Sequence, residues 1–212
     1  MKLIGMLDSP YVRRVAISLQ MLGLPFEHRS VSVFRGMDEF RRVNPVVKAP
    51  TLVCDDGTAL MDSTLILEYA EALARPRSLM PAGLKPLQQE LHLIGLALAA
   101  MEKSVQIFYE RNLRPPEIQH QPWVSRVTDQ LLAAYDALES EVDGYPAPAA
   151  AGFGQAGITI AVAWHFTRQT VADAVPAGRF PRLAAYSAAA EKRPEFLAAP
   201  HGDGTYRGAA GA

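Results

Sequence analysis

Three short stretches of this 212-residue chain carry side chains that could do chemistry. In Asp8-Ser9-Pro10-Tyr11-Val12-Arg13-Arg14-Val15, a hydroxyl stands where a short apolar run gives way to a helical repeat. The stretch has the outline of a Cys-Pro-Tyr-Cys redox loop, with Ser9 and Val12 in the places of the two sulfurs. Dithiol exchange needs a thiolate on the protein, so this loop can act only on a sulfur brought by another molecule. In Asn44-Pro45-Val46-Val47-Lys48-Ala49-Pro50-Thr51-Leu52, a proline opens a strand after a residue whose backbone lies open at the sheet's edge. In Met61-Asp62-Ser63-Thr64, an acid and a hydroxyl open a helix. Free N–H groups at a helix start suit a carboxylate, and Asp62 can pair with an ammonium, so together they fit an α-amino acid head group. Each stretch alone is also an ordinary structural device. Ser9-Pro10 is a good helix start, Pro50 can be a trans proline at a strand start, and Asp62-Ser63 is a common cap.

The elements that position these residues alternate over the first 75 or so. Lys2 to Leu7 reads as a strand, and Val12, Val15, Ala16, Leu19 and Leu22 repeat at helical spacing up to a stop at Gly23. A second strand is expected over Phe26 to Val33 and a polar helix over Met37 to Val43, which makes a βαβ unit with a parallel pair. Thr51 to Cys54 and Thr58 to Met61, joined through Asp55-Asp56-Gly57, read as a β-hairpin. A helix carrying Leu65, Ile66, Tyr69 and Leu73 follows. From Arg75 to Pro86, three prolines and a glycine break the pattern. Beyond it only helical signals remain. Leu91, Ile94, Leu98, Met101, Val105 and Phe108 form one stripe, and Trp123, Val127, Leu131, Ala134, Leu138 and Val142 form another. Ile158 to Val171 is apolar nearly all round and is expected to be central. Phe180-Pro181-Arg182-Leu183 opens a fourth helix that ends near Arg193-Pro194. The predicted organisation is an α/β domain over residues 1–75 in the order βαβ-α-ββα, a linker over 76–86, and an all-α domain over 87–212 whose tail around His201-Gly202-Asp203-Gly204 is flexible.

Composition removes several function classes. Lys and Arg total 21 against 22 Asp and Glu, with no long run of either sign, so nothing offers the basic footprint of a nucleic-acid or anionic-membrane binder. No uncharged apolar run reaches about 18 residues, and the apolar start is too short for a signal peptide, so a cytoplasmic location is expected. The single cysteine, Cys54, cannot form an internal disulfide and reads as a buried, inert thiol in a strand. The five histidines show no metal-ligand spacing, and no metal is expected.

The three stretches in this order, with Phe180-Pro181-Arg182-Leu183 and Arg193-Pro194-Glu195-Phe196 near the end, resemble the cytosolic glutathione S-transferases, especially bacterial members with a serine-type loop. The resemblance covers nearly the whole chain. It implies a thioredoxin-like first domain in which the Ala49-Pro50 bond is cis and faces the first helix. Glutathione would be the co-substrate. Ser9 would match the serine whose hydroxyl points at its sulfur, while the Ala49 backbone, beside Pro50, would pair with its cysteinyl part. Asp62 and Ser63 would match the Glu/Gln-Ser pair that holds the γ-glutamyl end, and Lys48 and Arg35 could meet the glycyl carboxylate. Tyr11 or a backbone N–H stands next to Ser9 as a holder of the sulfur.

The implied activity is attack of the glutathione thiolate on a small hydrophobic electrophile held between the domains, a detoxifying transferase reaction. Tyr11, Met101, Tyr109 and Trp164 are candidates for its lining. The same scaffold would also serve a glutathione-dependent isomerase or ether-cleaving lyase, or a non-catalytic interaction protein. Related proteins pair as homodimers, and that state is expected here. One departure concerns stability. Where the family writes Ser/Thr-x-x-Asp to cap the central helix, this chain has Gly154-Gln155-Ala156-Gly157. The missing reciprocal cap predicts a loss of about 1 kcal/mol.

Overall fold

The computed structural model describes residues 1–208, and the chain divides into two units. One comprises Met1–Met80 together with the segment from Lys192 onward, and the other Pro81–Glu191.

The first unit runs β1 (Lys2–Ile4), α1 (Pro10–Met21), β2 (Glu27–Arg29), α2 (Met37–Val43), β3 (Thr51–Val53), β4 (Ala59–Leu60) and α3 (Ser63–Leu73). This is the thioredoxin-like βαβ-α-ββα order. The sheet is ordered β2-β1-β3-β4, with β1 parallel to β2 and antiparallel to β3. The strands are shorter than the apolar runs predict: β2 covers three residues of the eight expected, because only Glu27, His28 and Arg29 find ladder partners on β1. Helix α1 is buried from Val12 to Leu19, and that span includes Arg13 and Arg14.

The end of the chain differs most from expectation. Arg193-Pro194 opens a further helix, α8 (Pro194–Ala198), instead of closing the previous one, and this helix docks on the first unit. Arg13 Nε donates to the Ala199 carbonyl at 2.8 Å, its guanidinium lies 5.6 Å over the Phe196 ring, and Gln20 Nε2 donates to the Glu195 carbonyl at 3.0 Å. The segment after it makes further contacts with the first unit. Ser30 Oγ donates to the Asp203 carbonyl at 2.7 Å, Tyr206 stacks on Phe26 at 4.7 Å, and Arg207 N donates to the Ala198 carbonyl. The remainder of the tail expectation, residues 209–212, lies outside the described residues.

His28 fastens this segment in one tautomer. Its Nδ1 accepts the Tyr206 N–H at 2.8 Å, so the ring hydrogen sits on Nε2 and is donated to the Gly5 carbonyl at 2.7 Å. Burial lowers the His28 pKa from its ordinary 6.5, and the bond to Gly5 only partly opposes it. A lowered folded-state pKa contributes stability above the ordinary value, and that stability is lost as pH falls from 6.5 through the folded value. The Tyr206 amide is therefore expected to lose hydrogen-exchange protection between about pH 7.5 and about pH 5.5, with intrinsic rates corrected. Unchanged protection would contradict this assignment of the ring.

The second unit consists of α4 (Leu84–Leu113), α5 (Gln121–Glu141), α6 (Gln155–Thr170) and α7 (Pro181–Ala190). Helix α6 is buried nearly all round, as expected, and α4 packs against both α5 and α6. By length and composition α4 also passes as a membrane-crossing helix, although it carries Glu90 and Glu110 buried among its apolar residues. Its buried face differs from the stripe of large residues. Leu93, Ile94, Ala97, Ala100, Met101, Ser104 and Ile107 point inward, while Leu91 is exposed. Small residues at 97, 100 and 104 let the neighbouring helices approach. Ser104, Thr167 and Tyr135 form a buried hydroxyl chain, with separations of 2.7 and 2.6 Å, that ends on the Ala163 carbonyl. This pairs all three hydroxyls inside the bundle.

The missing α6 cap is supplied from another helix. Glu90 Oε1 on α4 accepts the Ala156 N–H at 2.6 Å and the Tyr145 hydroxyl at 3.0 Å. A side chain at Gly157 would meet the Tyr186 hydroxyl and the Phe153 ring, each 2.6 Å from its Cβ. The space of a local capping residue is taken by aromatic rings, and a carboxylate from α4 does its work.

Candidate functional site

Antiparallel pairing sets Ile4 of β1 opposite Thr51 of β3, so the loop after β1 lies beside the loop before β3. Gly5 allows the contact. Its φ is +135°, and a Cβ there would fall 2.6 Å from Val12 Cγ2 and 3.1 Å from Ala49 Cβ. Only glycine lets the strand end, the first turn of α1 and Ala49 meet this closely. The Ala49-Pro50 peptide is cis. Asn44 ties the surrounding pieces together: Oδ1 accepts the Val46 N–H at 3.0 Å, while Nδ2 donates to Thr51 Oγ1 at 2.8 Å and to Met61 Sδ at 3.2 Å. One buried amide thus links the cis-proline loop to the residue preceding Asp62. Val47 in this loop has φ +54°, a conformation β-branched residues rarely adopt. Its side chain packs against the cluster of Ile4, Val31 and Phe40.

Ser9 is the N-cap of α1, and its Oγ accepts the Val12 N–H at a long 3.4 Å. Accepting leaves the hydroxyl hydrogen available to a further acceptor. Tyr11 lies half-buried in the same first turn. Asp62 is the N-cap of α3, with Oδ1 accepting from Thr64 N at 2.9 Å and Leu65 N at 3.4 Å, so its other oxygen faces outward from an exposed residue. Ser63 follows, 2% exposed, and its N–H has no partner among the described residues. Arg14 reaches across from α1 and donates from Nη1 to Ser63 Oγ at 3.3 Å. The start of α1, the cis-proline loop and the start of α3 therefore lie at the same end of the sheet's strands. The arrangement can hold an amino-acid head group at α3 and place a sulfur near Ser9.

Lys48 is exposed and its ammonium has no ion-pair partner among the described residues. Arg35 is held loosely over the loop before Ser9, with Nη2 3.9 Å from Met6 Sδ and 3.9 Å from the Asp203 carboxylate.

Residues 3–78 match the family model described as glutathione S-transferase, N-terminal domain. A glutathione transferase family member from Pseudomonas fluorescens, solved with bound S-(propanoic acid)-glutathione, is 30% identical, and the match covers 94% of this chain and 98% of that one with a TM-score of 0.79. The chain belongs to the glutathione S-transferase family. A second structure from Pseudomonas fluorescens, with bound glutathione, is 28% identical with a TM-score of 0.80, over 93% of this chain and 97% of that one. Among curated proteins, the uncharacterized GST-like protein YibF of Escherichia coli is 28% identical over 145 residues, 68% of this chain and 71% of its own.

In the helical unit of this glutathione S-transferase family member, the remaining candidates differ in their surroundings. Met101 is fully buried and Trp164 is 4% exposed, packed edge-on against Tyr135 at 5.2 Å and against Phe180 at 5.8 Å. Both are core residues of α4 and α6, because each stands on the face that meets a neighbouring helix. Tyr109 is exposed, and with Leu113, Ile118 and Trp123 it lines an open cleft of about 480 Å³. Sequence reasoning missed Gly5 and Arg14. Arg13 and Arg14 do interrupt a helix that is apolar from Val12 to Leu19 apart from Ser18, but the local sequence names no partner for either. Among the described residues no group of three or more His, Cys, Asp or Glu side chains is arranged to hold a metal ion.

Proposed function

We propose that the protein is a glutathione transferase that binds glutathione at this end of the sheet's strands and ionises its thiol at Ser9 for attack on a small hydrophobic electrophile. The observation that supports this reading is that Gly5 brings the first turn of α1 against Ala49, Asn44 links the cis-proline loop to Met61, and Arg14 of α1 reaches Ser63. The glutathione bound by the Pseudomonas fluorescens relatives supports it. Ser9 donates to the sulfur, the Ala49 backbone pairs with the cysteinyl part, and Asp62 and Ser63 hold the γ-glutamyl ammonium and carboxylate. Lys48 and Arg35 serve the glycyl carboxylate, and Tyr109 contributes to electrophile contact.

The energetics are sufficient. A free thiol of pKa ~8.5 is only about 3% ionised at pH 7, and lowering it by ~2 units takes about 2.7 kcal/mol. A hydrogen bond to a charged group supplies ~1.5–3 kcal/mol, and the N-terminus of α1 adds ~0.3–1. The thiolate then attacks the electrophilic carbon and forms the C–S bond, either as a leaving group departs with its bonding pair or as an activated double bond takes up a proton from solvent. The thiol proton has already gone to solvent. A glutathione-binding titration, run with a thiol-transfer assay over a panel of electrophiles, tests the reading. Failure to bind glutathione would overturn it.

Asp62→Asn is expected to raise the Michaelis constant for glutathione about tenfold or more while leaving the rate at saturating glutathione within about twofold. The ammonium it meets is remote from the reacting sulfur and unchanged in the transition state. Asparagine keeps an oxygen for the α3 cap, so the change isolates the charge. A rate that saturating glutathione does not restore would show the assigned role to be wrong.

A further inference from the structure

We infer that Arg14 is a positioning residue of the proposed glutathione site: acting through Ser63, it sets the site's preference for a carboxylate at the γ-glutamyl end. The inference rests on the functional reading above. Arg14 is 1% exposed, yet among the described residues its guanidinium has no carboxylate within ion-pair distance and its Nε has no acceptor. The one hydrogen bond from the guanidinium goes to Ser63 Oγ at 3.3 Å. The nearest negative charge, Asp62, acts on it at a distance, with Oδ1 already committed to the N–H groups of α3. Burial pushes the Arg14 pKa down to about 10, against the pull of Asp62 and Tyr11, so the group stays charged at neutral pH.

A buried charge without a partner does not help a fold, and apolar replacement of such groups is often neutral or stabilising. Its placement does make sense for a ligand. A serine hydroxyl that accepts from a guanidinium must turn its own hydrogen elsewhere. Ser63 then presents an O–H and a free N–H from one residue, at the start of an 11-residue helix, with a cation behind them. A carboxylate seated there supplies the counter-charge that Arg14 lacks, relayed through a single hydroxyl. A carboxamide does not.

The test measures dissociation constants of wild type and Arg14→Met for glutathione and for an analogue whose γ-glutamyl α-carboxylate is a carboxamide, with thermal unfolding alongside. Wild type is expected to bind the amide about 30-fold more weakly. Arg14→Met should lose about tenfold for glutathione and little for the amide, so that its discrimination falls to about threefold, with its melting temperature unchanged or raised. Arg14→Gln, which keeps a polar donor without the charge, should show the same collapse and carries the test if the methionine variant does not fold. Discrimination equal to wild type in a folded variant overturns the inference. Loss of the folded state in both variants overturns it equally, since Arg14 would then serve the fold. Failure of wild type to bind glutathione instead sinks the functional reading, and is seen before any variant is made.

Discussion

Ser9→Ala is expected to lower turnover near pH 7 by about 3- to 25-fold, with the Michaelis constant for glutathione changed little. If the hydroxyl stabilises the thiolate by ~1.5–3 kcal/mol, its removal raises the bound thiol's pKa by roughly one to two units. From a midpoint near 6.5, the thiolate fraction at pH 7 falls from about three quarters to between about one quarter and about 3%. Affinity should persist because Ala49, Asp62 and Ser63 hold the rest of the peptide. Capping and the proposed role use different parts of the hydroxyl. The bond from Val12 N to Ser9 Oγ is 3.4 Å long and uses the oxygen as an acceptor, so the hydroxyl hydrogen remains for the sulfur. A residue that only capped α1 would cost about 1 kcal/mol of stability when replaced by alanine and leave turnover alone. Steady-state kinetics of both proteins, run with thermal melts, decide between the two. Unchanged turnover with a lowered melting temperature would make Ser9 merely the cap, and Tyr11 or a backbone N–H would be the next candidate for holding the sulfur.

The second large effect concerns Glu90. Glu90→Ala leaves the Ala156 N–H and the Tyr145 hydroxyl without their acceptor at the start of a buried helix. The expected loss is about 3 kcal/mol, which for a chain of this size lowers the melting temperature by roughly 6–12 °C. Glu90→Gln keeps an acceptor oxygen and should lose less than half as much. The two variants also differ in pH response. Burial raises the Glu90 pKa above its ordinary 4.5, and the bonds from Ala156 and Tyr145 only partly pull it back. For a raised folded-state pKa, the favourable contribution is present below the ordinary value and lost as pH climbs through the folded one. Wild type therefore gains from acidification at this residue, and Glu90→Gln lacks that component. Melts of the three proteins at about pH 5 and about pH 7 test both points. A Glu90→Ala melting temperature within about 2 °C of wild type would show that α6 does not depend on this cap.

Local signals made much of the first unit legible. Ser9-Pro10 before an apolar repeat, the Asp55-Asp56-Gly57 turn and the Asp62 cap each act within a few residues, and α1, the β3–β4 hairpin and α3 lie where those residues put them. The parts that were not legible depend on partners distant in sequence. Glu90 caps a helix 66 positions away, and His28 holds a residue 178 positions away, so neither contact leaves a local pattern. On α4 the large residues set the expected stripe, but the helix is apolar on several sides, and the inward face was decided by small residues that let α5 and α6 come near. The candidate site followed the same rule. Ser9, Ala49-Pro50 and Asp62-Ser63 announced themselves as caps and a proline. Arg14 did not, because a cation inside an apolar helix has meaning only once Ser63 is seen beside it.

The central claim is that this chain ionises a bound thiol with no cysteine in its Ser9 loop, and a pH titration of thiolate absorbance in the wild-type glutathione complex tests it most directly. A midpoint near pH 6.5, about two units below the ~8.5 of a free thiol, is the expected result. A midpoint at ~8.5 with glutathione demonstrably bound would contradict it.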